Sequence, residues 1–116
     1  MGETFVSVRV SGPRGEAVLR ALVDTGATFT KVPPSVAENI GLQPYGSSEV
    51  MLSDGSKRSR KMALATVELD GAWASQPISI GGGGEQPIVG YTTLEILGFK
   101  VDPVTGRLER RPPIEL

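Results

Sequence analysis

The chain contains neither cysteine nor histidine. The first absence rules out a disulfide framework and any thiolate zinc site. The second removes the commonest metal ligand and the usual general base near neutral pH. Acid–base chemistry, if there is any, must come from carboxylates, lysines or tyrosines. Long hydrophobic runs are also missing: no window approaches the roughly 18 apolar residues of a membrane span. The N-terminal stretch alternates apolar and polar residues and lacks the basic start and apolar stretch of a signal peptide. Position 6, where myristoylation after Gly2 would need Ser or Thr, is Val6. Charge of either sign is not in excess: the formal net charge is -1, which argues against a general nucleic-acid binder. The expectation is a cytoplasmic soluble protein with neither a membrane nor a nucleic acid as partner. Its 116 residues suit a single domain over 1–116 with one modest core.

What is present is mostly short apolar alternation broken by turns. Val6, Val8 and Val10 fall on one face of a strand, opposite Ser7 and Arg9. Ser11–Gly15 forms a turn, and a second strand over Glu16–Val23 becomes more apolar towards its end. Phe29–Val32 reads as a short strand. Pro33-Pro34 then opens a helix over Ser35–Ile40, closed by Gly41. Strands at Glu49–Leu52 and Arg58–Met62 flank Ser53-Asp54-Gly55-Ser56, and strands at Ala63–Leu69 and Trp73–Ile80 flank Asp70-Gly71. Asp-Gly is a strong hairpin signal in both places. Gly81–Gly84 reads as a flexible loop. Thr92 and Glu95 have capping-box spacing for a helix ending near Gly98, and Phe99–Asp102 and Arg107–Arg110 make a last hairpin. This pattern predicts a mainly β barrel or sandwich with two brief helices.

The informative stretch is Ala21-Leu22-Val23-Asp24-Thr25-Gly26-Ala27. A carboxylate at the end of a covered strand is partly desolvated, which is costly unless it is paired, hydrogen-bonded or protonated. Gly26 lets the backbone come close where a Cβ would hinder it. Backbone N–H groups in such a loop can hold the carboxylate's geometry. On its own the triplet Asp-Thr-Gly has an ordinary reading as an Asx turn. Together with Ile88-Val89-Gly90 and the helix after it, the chain resembles the retropepsin-like aspartic proteases, in the form of a small single-domain prokaryotic-type member. The likeness spans roughly Thr4 to Arg110.

The resemblance implies a closed acid-protease barrel that is half of a twofold dimer, with Asp24, Thr25 and Gly26 as the catalytic loop. Ile88-Val89-Gly90 would thread beside that loop, and Thr25 would point its hydroxyl across a dimer interface. The hairpin with Ser53, Asp54 and Gly55 falls where the family places its flap, and Ala27, Thr28 and Ile88 are candidate pocket walls. The reaction needs two carboxylates sharing one proton, and the chain carries one such loop. Asp54, Asp70 and Asp102 lack the Thr-Gly sequel, so a homodimer has to supply the second acid. The implied function is an endopeptidase acting on an extended peptide, with no cofactor and no metal. The alternative is a catalytically weak or inactive dimeric peptide-binding or assembly module on the same fold. A monomeric β protein with a coincidental turn is a third reading.

Some residues depart from the family pattern. Ala27 stands where pepsin-like enzymes carry Ser, the hairpin tip is polar, and Tyr91-Thr92-Thr93-Leu94 lacks the acidic residue many prokaryotic relatives have before the Leu. Lys57-Arg58-Ser59-Arg60-Lys61 reads as a solvated charged strand, with selection of acidic substrates as the other reading. Gly81–Gly84 lacks the sequel of a phosphate loop. Trp73 is expected to pack on the barrel, and Ile114 and Leu116 could add an edge strand between subunits.

Overall fold

A computed structural model describes residues 3–116. Nine strands and two helices occur among them: β1 (Phe5–Gly12), β2 (Gly15–Val23), β3 (Lys31–Val32), α1 (Pro34–Asn39), β4 (Pro44–Met51), β5 (Lys57–Leu69), β6 (Ala72–Ile80), β7 (Ile88–Val89), α2 (Tyr91–Leu97), β8 (Phe99–Val101) and β9 (Leu108–Arg110). Seven strands share one sheet in the order β1-β2-β7-β3-β6-β5-β4, and a further β1–β5 pairing turns that order back on itself. Strand β4 stays outside the ring, paired only with β5. The last two strands form a separate hairpin.

The core follows from the alternation. Val8 and Val10 of β1, Ala63, Ala65, Val67 and Leu69 of β5, and Ile78 of β6 bury one face of the sheet, and α2 adds Leu94 and Leu97 beneath it. Turn chemistry fixes the registers. Asp70 (φ 51°) and Gly71 (φ 84°) both take the left-handed conformation that a two-residue type I′ hairpin requires. At the other hairpin, the Gly55 N–H donates to the Leu52 carbonyl at 2.9 Å, so Ser53 and Asp54 form the turn and Gly55 follows at φ 87°.

Several expectations need correction. Residues 58–69 are not two strands but one continuous β5, because its pairing with β6 runs unbroken from Lys61 to Leu69. Its burial changes phase at Met62 and Ala63, which are both covered: Ala63 lies opposite Ile78 on the core face and Met62 opposite Ser79 on the other. Strand β3 is only Lys31–Val32, without Phe29 and Thr30. Trp73 does not pack on the sheet; it is 68% exposed, opposite Glu68. Ile114 and Leu116 are exposed and join no strand within the single chain, so the edge strand expected there is one that only pairing between subunits would form. The capping box at Thr92 does not form either. The helix cap is Gly90, without a side-chain hydrogen bond. The first-turn N–H groups of Tyr91 and Thr92 instead donate to the carbonyls of Ala27 and Thr28 at 2.7 and 2.9 Å, so the Asp24 loop itself satisfies the helix's orphan donors.

Candidate active site

Strand β2 ends at Val23, and the chain turns at once into Asp24-Thr25-Gly26. Strand β7 lies between β2 and β3, parallel to the first (Leu22 opposite Ile88, Val23 opposite Val89) and antiparallel to the second. The chain segment joining β2 to β3 therefore loops over the end of a strand that arrives from far along the sequence. Three hydrogen bonds set the loop. The Asp24 N–H donates to the Val89 carbonyl at 3.0 Å, the Ala27 N–H to the Asp24 carbonyl at 3.1 Å, and the Gly26 N–H to Asp24 Oδ1 at 2.9 Å. The last bond fixes the carboxylate, since a backbone donor cannot swing away.

Two glycines make this possible by close approach. A Cβ at Gly90 would lie 2.4 Å from both the carbon and the oxygen of the Phe29 carbonyl, a backbone collision that nothing nearby can relieve. A Cβ at Gly26 would meet Asp24 Oδ1 at 3.2 Å, close enough to push the carboxylate. Beneath the loop runs a buried relay of polar groups. The Gly90 N–H donates to Thr30 Oγ1 at 3.1 Å, Thr30 Oγ1 lies 2.5 Å from Thr93 Oγ1, and Thr93 Oγ1 donates to Gln76 Oε1 at 2.5 Å. This ties β7, the segment before β3, α2 and β6 into one support. Thr30, Thr93 and Gln76 carried no sequence signal of their own.

Asp24 and Ala27 are half-buried, whereas Thr25, Gly26 and Thr28 are exposed; Ile88 is half-buried. Ser53, Asp54 and Gly55 form the exposed tip of the β4–β5 hairpin. There the Asp54 carboxylate turns back on its own turn, accepting hydrogen bonds from the Ser56 hydroxyl at 2.6 Å and the Ser56 N–H at 2.9 Å. Those bonds, the hydroxyl's first, hold the Asp54 carboxyl below its usual range. The structure thus brings Asp24, Gly26, Ala27 and Thr28 together beside β7, and places the hairpin tip on a separate element.

The expectation of a wholly solvated strand over 57–61 fails at Arg60. Its side chain is 8% exposed, and its Nη2 donates to both oxygens of Glu85 at 2.8 and 2.9 Å. Lys31 Nζ lies 3.3 Å from Glu85 Oε1, and the Gly82 N–H donates to the same oxygen at 3.1 Å. Arg60 above all, then Gly82, pulls the Glu85 carboxyl down to about 2. The glycine loop is therefore pinned around a carboxylate: Cβ atoms at Gly81 and Gly82 would each come within 3.1 Å of a Glu85 oxygen. The only hint in the sequence is an acid placed directly after four glycines.

Among the described residues no group of three or more Asp, Glu, His or Cys side chains converges as a metal ion would require. A groove lined by Phe5, Arg9, Val18, Asp70 and Arg107 lies elsewhere on the chain and does not include Asp24.

Three solved structures share this architecture. EIAV protease complexed with the inhibitor HBY-793 aligns with a TM-score of 0.68 at 15% identity, covering 83% of this chain and 88% of that one. The simian foamy virus (mac) protease aligns at 0.56 and 15% identity, over 78% and 91% of the two chains. The retroviral protease-like domain of Ddi1 from Leishmania major aligns at 0.56 and 17% identity, over 92% and 88%. At such identities the likeness is one of fold. No curated protein sequence matches the chain. A family model described as aspartyl protease matches residues 6–93, a span that includes both the Asp24 loop and the β7–α2 segment that supports it. The fold is that of the retroviral proteases, and the chain belongs to the aspartyl protease family.

Proposed function

We propose that the protein is a homodimeric aspartic endopeptidase in which Asp24 and its twofold mate form the catalytic pair. The observation that carries this reading is the Asp24 carboxylate itself. It is held by the Gly26 N–H at the open end of β2, in a chain with one Asp-Thr-Gly loop. Two such carboxylates a few ångströms apart cannot both ionise. The charged one would take a proton from water as the water attacks the scissile carbonyl, while the protonated one donates a hydrogen bond to the carbonyl oxygen. Return of a proton to nitrogen would break the C–N bond of the tetrahedral intermediate and release the amine.

The exposed Thr25 would join its counterpart across the twofold axis. The substrate would lie extended between the subunits, paired like an added strand, against Ala27, Thr28 and Ile88. The β4–β5 hairpins, tipped by Ser53, Asp54 and Gly55, would serve as flaps. A cleft completed only by pairing would be an open surface in one chain.

A second reading, a dimeric peptide-binding module with little activity, draws on the hairpin tip. Its Asp54 carboxylate is spent on Ser56 rather than presented to a ligand. Incubation of the wild type and Asp24→Asn with an unstructured protein distinguishes the readings. Cleavage by the wild type alone supports the protease. Peptide binding without cleavage by either supports the module, and equal cleavage by both assigns the activity to a contaminant.

A further inference from the structure

The strand registers place one row of side chains across the sheet: Leu22 on β2, Ile88 on β7, Lys31 on β3, Ser79 on β6 and Met62 on β5. Directly paired residues share a face, and residues two apart along a strand share it too. The face of Leu22 is therefore the one on which Asp24 emerges. Following the same period up β5, Arg60 and Arg58 join Met62 on this face, with Ser48 and Val50 opposite them on β4. Lys57 and Lys61 fall on the other side. Lys31, Arg58 and Arg60 thus share the face of Asp24, as do Arg20, stacked over Phe5, and Arg9, paired with Glu16.

Lys31 and Arg60 share one carboxylate, Glu85, and it is already committed. Both of its oxygens accept from Arg60, and one also accepts from Gly82. Lys31 is left with a single ion pair, to an oxygen shared with two other donors, although its ammonium has three protons to place. Its side chain is 21% exposed, so its stem is covered while its charge is under-neutralised. Two strand spacings and two residues separate it from Asp24, roughly 12 Å. The side chain runs past Gly81 to Glu85, on the side of the row opposite to Asp24, so the ammonium lies farther off, about five residues of extended peptide from the carboxylate.

We infer that Lys31 forms a subsite selecting an acidic side chain, Asp or Glu, within about five residues of the bond acted on. This rests on the reading of Asp24 as the peptide-cleaving centre. A peptide laid over Ile88 removes water from the Lys31 ammonium. A carboxylate on the peptide restores a partner, whereas an apolar or basic side chain leaves the charge covered and unpaired, which selects against it. Arg60, paired through Nη2 with both Glu85 oxygens, holds the glycine loop beside this subsite and acts as a positioning residue.

The test uses a randomised decapeptide library, digested by the full-length protein and read by mass spectrometry, and in parallel captured on immobilised Asp24→Asn protein. Expected is an enrichment of Asp and Glu of about fivefold or more at one position within about five residues of the cut. Lys31→Met, which keeps the stem, should abolish it, and Lys31→Glu should replace it by Lys and Arg. Lys100→Met, on the terminal hairpin, should leave it in place. Asp24-dependent cleavage without acidic enrichment, or enrichment that survives Lys31→Met, overturns the subsite and leaves the protease reading intact. No cleavage, but capture of acidic peptides that is lost when Lys31→Met is added, supports the subsite and overturns the protease reading. Neither cleavage nor capture overturns both. If Lys31→Glu proves unfolded by circular dichroism, Lys31→Met decides alone.

Discussion

At the scale of single residues, what matters about the Asp24 loop is how little room it has. Replacing Gly90 by Ala puts a methyl group 2.4 Å from the Phe29 carbonyl, so Gly90→Ala should lose about 3 kcal/mol or more of stability in urea unfolding. Gly83→Ala, with nothing within 4 Å of the added Cβ, is the matched control. Ala27 bears on acidity. A hydroxyl there would add a hydrogen bond to the ionised form of the Asp24 pair. Ala27→Ser should therefore move the acid limb of the pH–rate profile to lower pH, by up to about one unit; a shift the other way would contradict the proposed dyad. Asp24, Gly26 and Gly90 are legible in the sequence because their constraints lie within a few contiguous letters. Lys31, Arg60 and Glu85 are not, because their carboxylate and cations meet only after three separate segments have paired.

At the scale of elements, the Glu85 cluster joins β5, β3 and the glycine loop before β7. Its carboxyl is lowered from 4.5 to about 2, so its stabilisation is complete above about pH 4.5 and disappears as pH falls through about 2. After allowing for its partial exposure, it contributes roughly 2 kcal/mol. Wild-type stability measured by urea unfolding should rise between pH 2 and 4.5 by more than that of Glu85→Gln. At neutral pH Glu85→Gln should be destabilised by about 3 kcal/mol, since it leaves the largely buried Arg60 unpaired. Equal pH slopes in the two proteins would assign the linkage to other carboxylates. The elements themselves were well marked by turn residues. Alternation was misleading where a strand is covered on both faces, as at Met62 and Ala63, and local capping logic failed at α2, whose N–H donors are satisfied by Ala27 and Thr28 from a distant loop. Trp73 shows the limit of composition: a single large aromatic on the outer face of a sheet looks no different in sequence from a buried one.

At the scale of the whole molecule, the proposed mechanism needs two copies, so activity should fall with the square of protomer concentration below the dimer dissociation constant. Thr25→Ala, which removes the hydroxyl proposed to bridge the subunits, should weaken self-association about tenfold in analytical ultracentrifugation and move that threshold upward. If instead its specific activity is reduced equally at all concentrations, Thr25 acts within one loop rather than across an interface. The mainly β class could be read from short strands and frequent turns. The strand order could not, because it is set by pairings between segments far apart, above all the insertion of β7 between β2 and β3. That insertion also governs when the proposed site can first assemble. The Asp24 amide is anchored by a carbonyl on Val89, and at about 5–20 residues per second the ribosome delivers that anchor several seconds after the acid itself. A nascent chain, or one truncated before β7, carries Asp24 without the backbone that aims it.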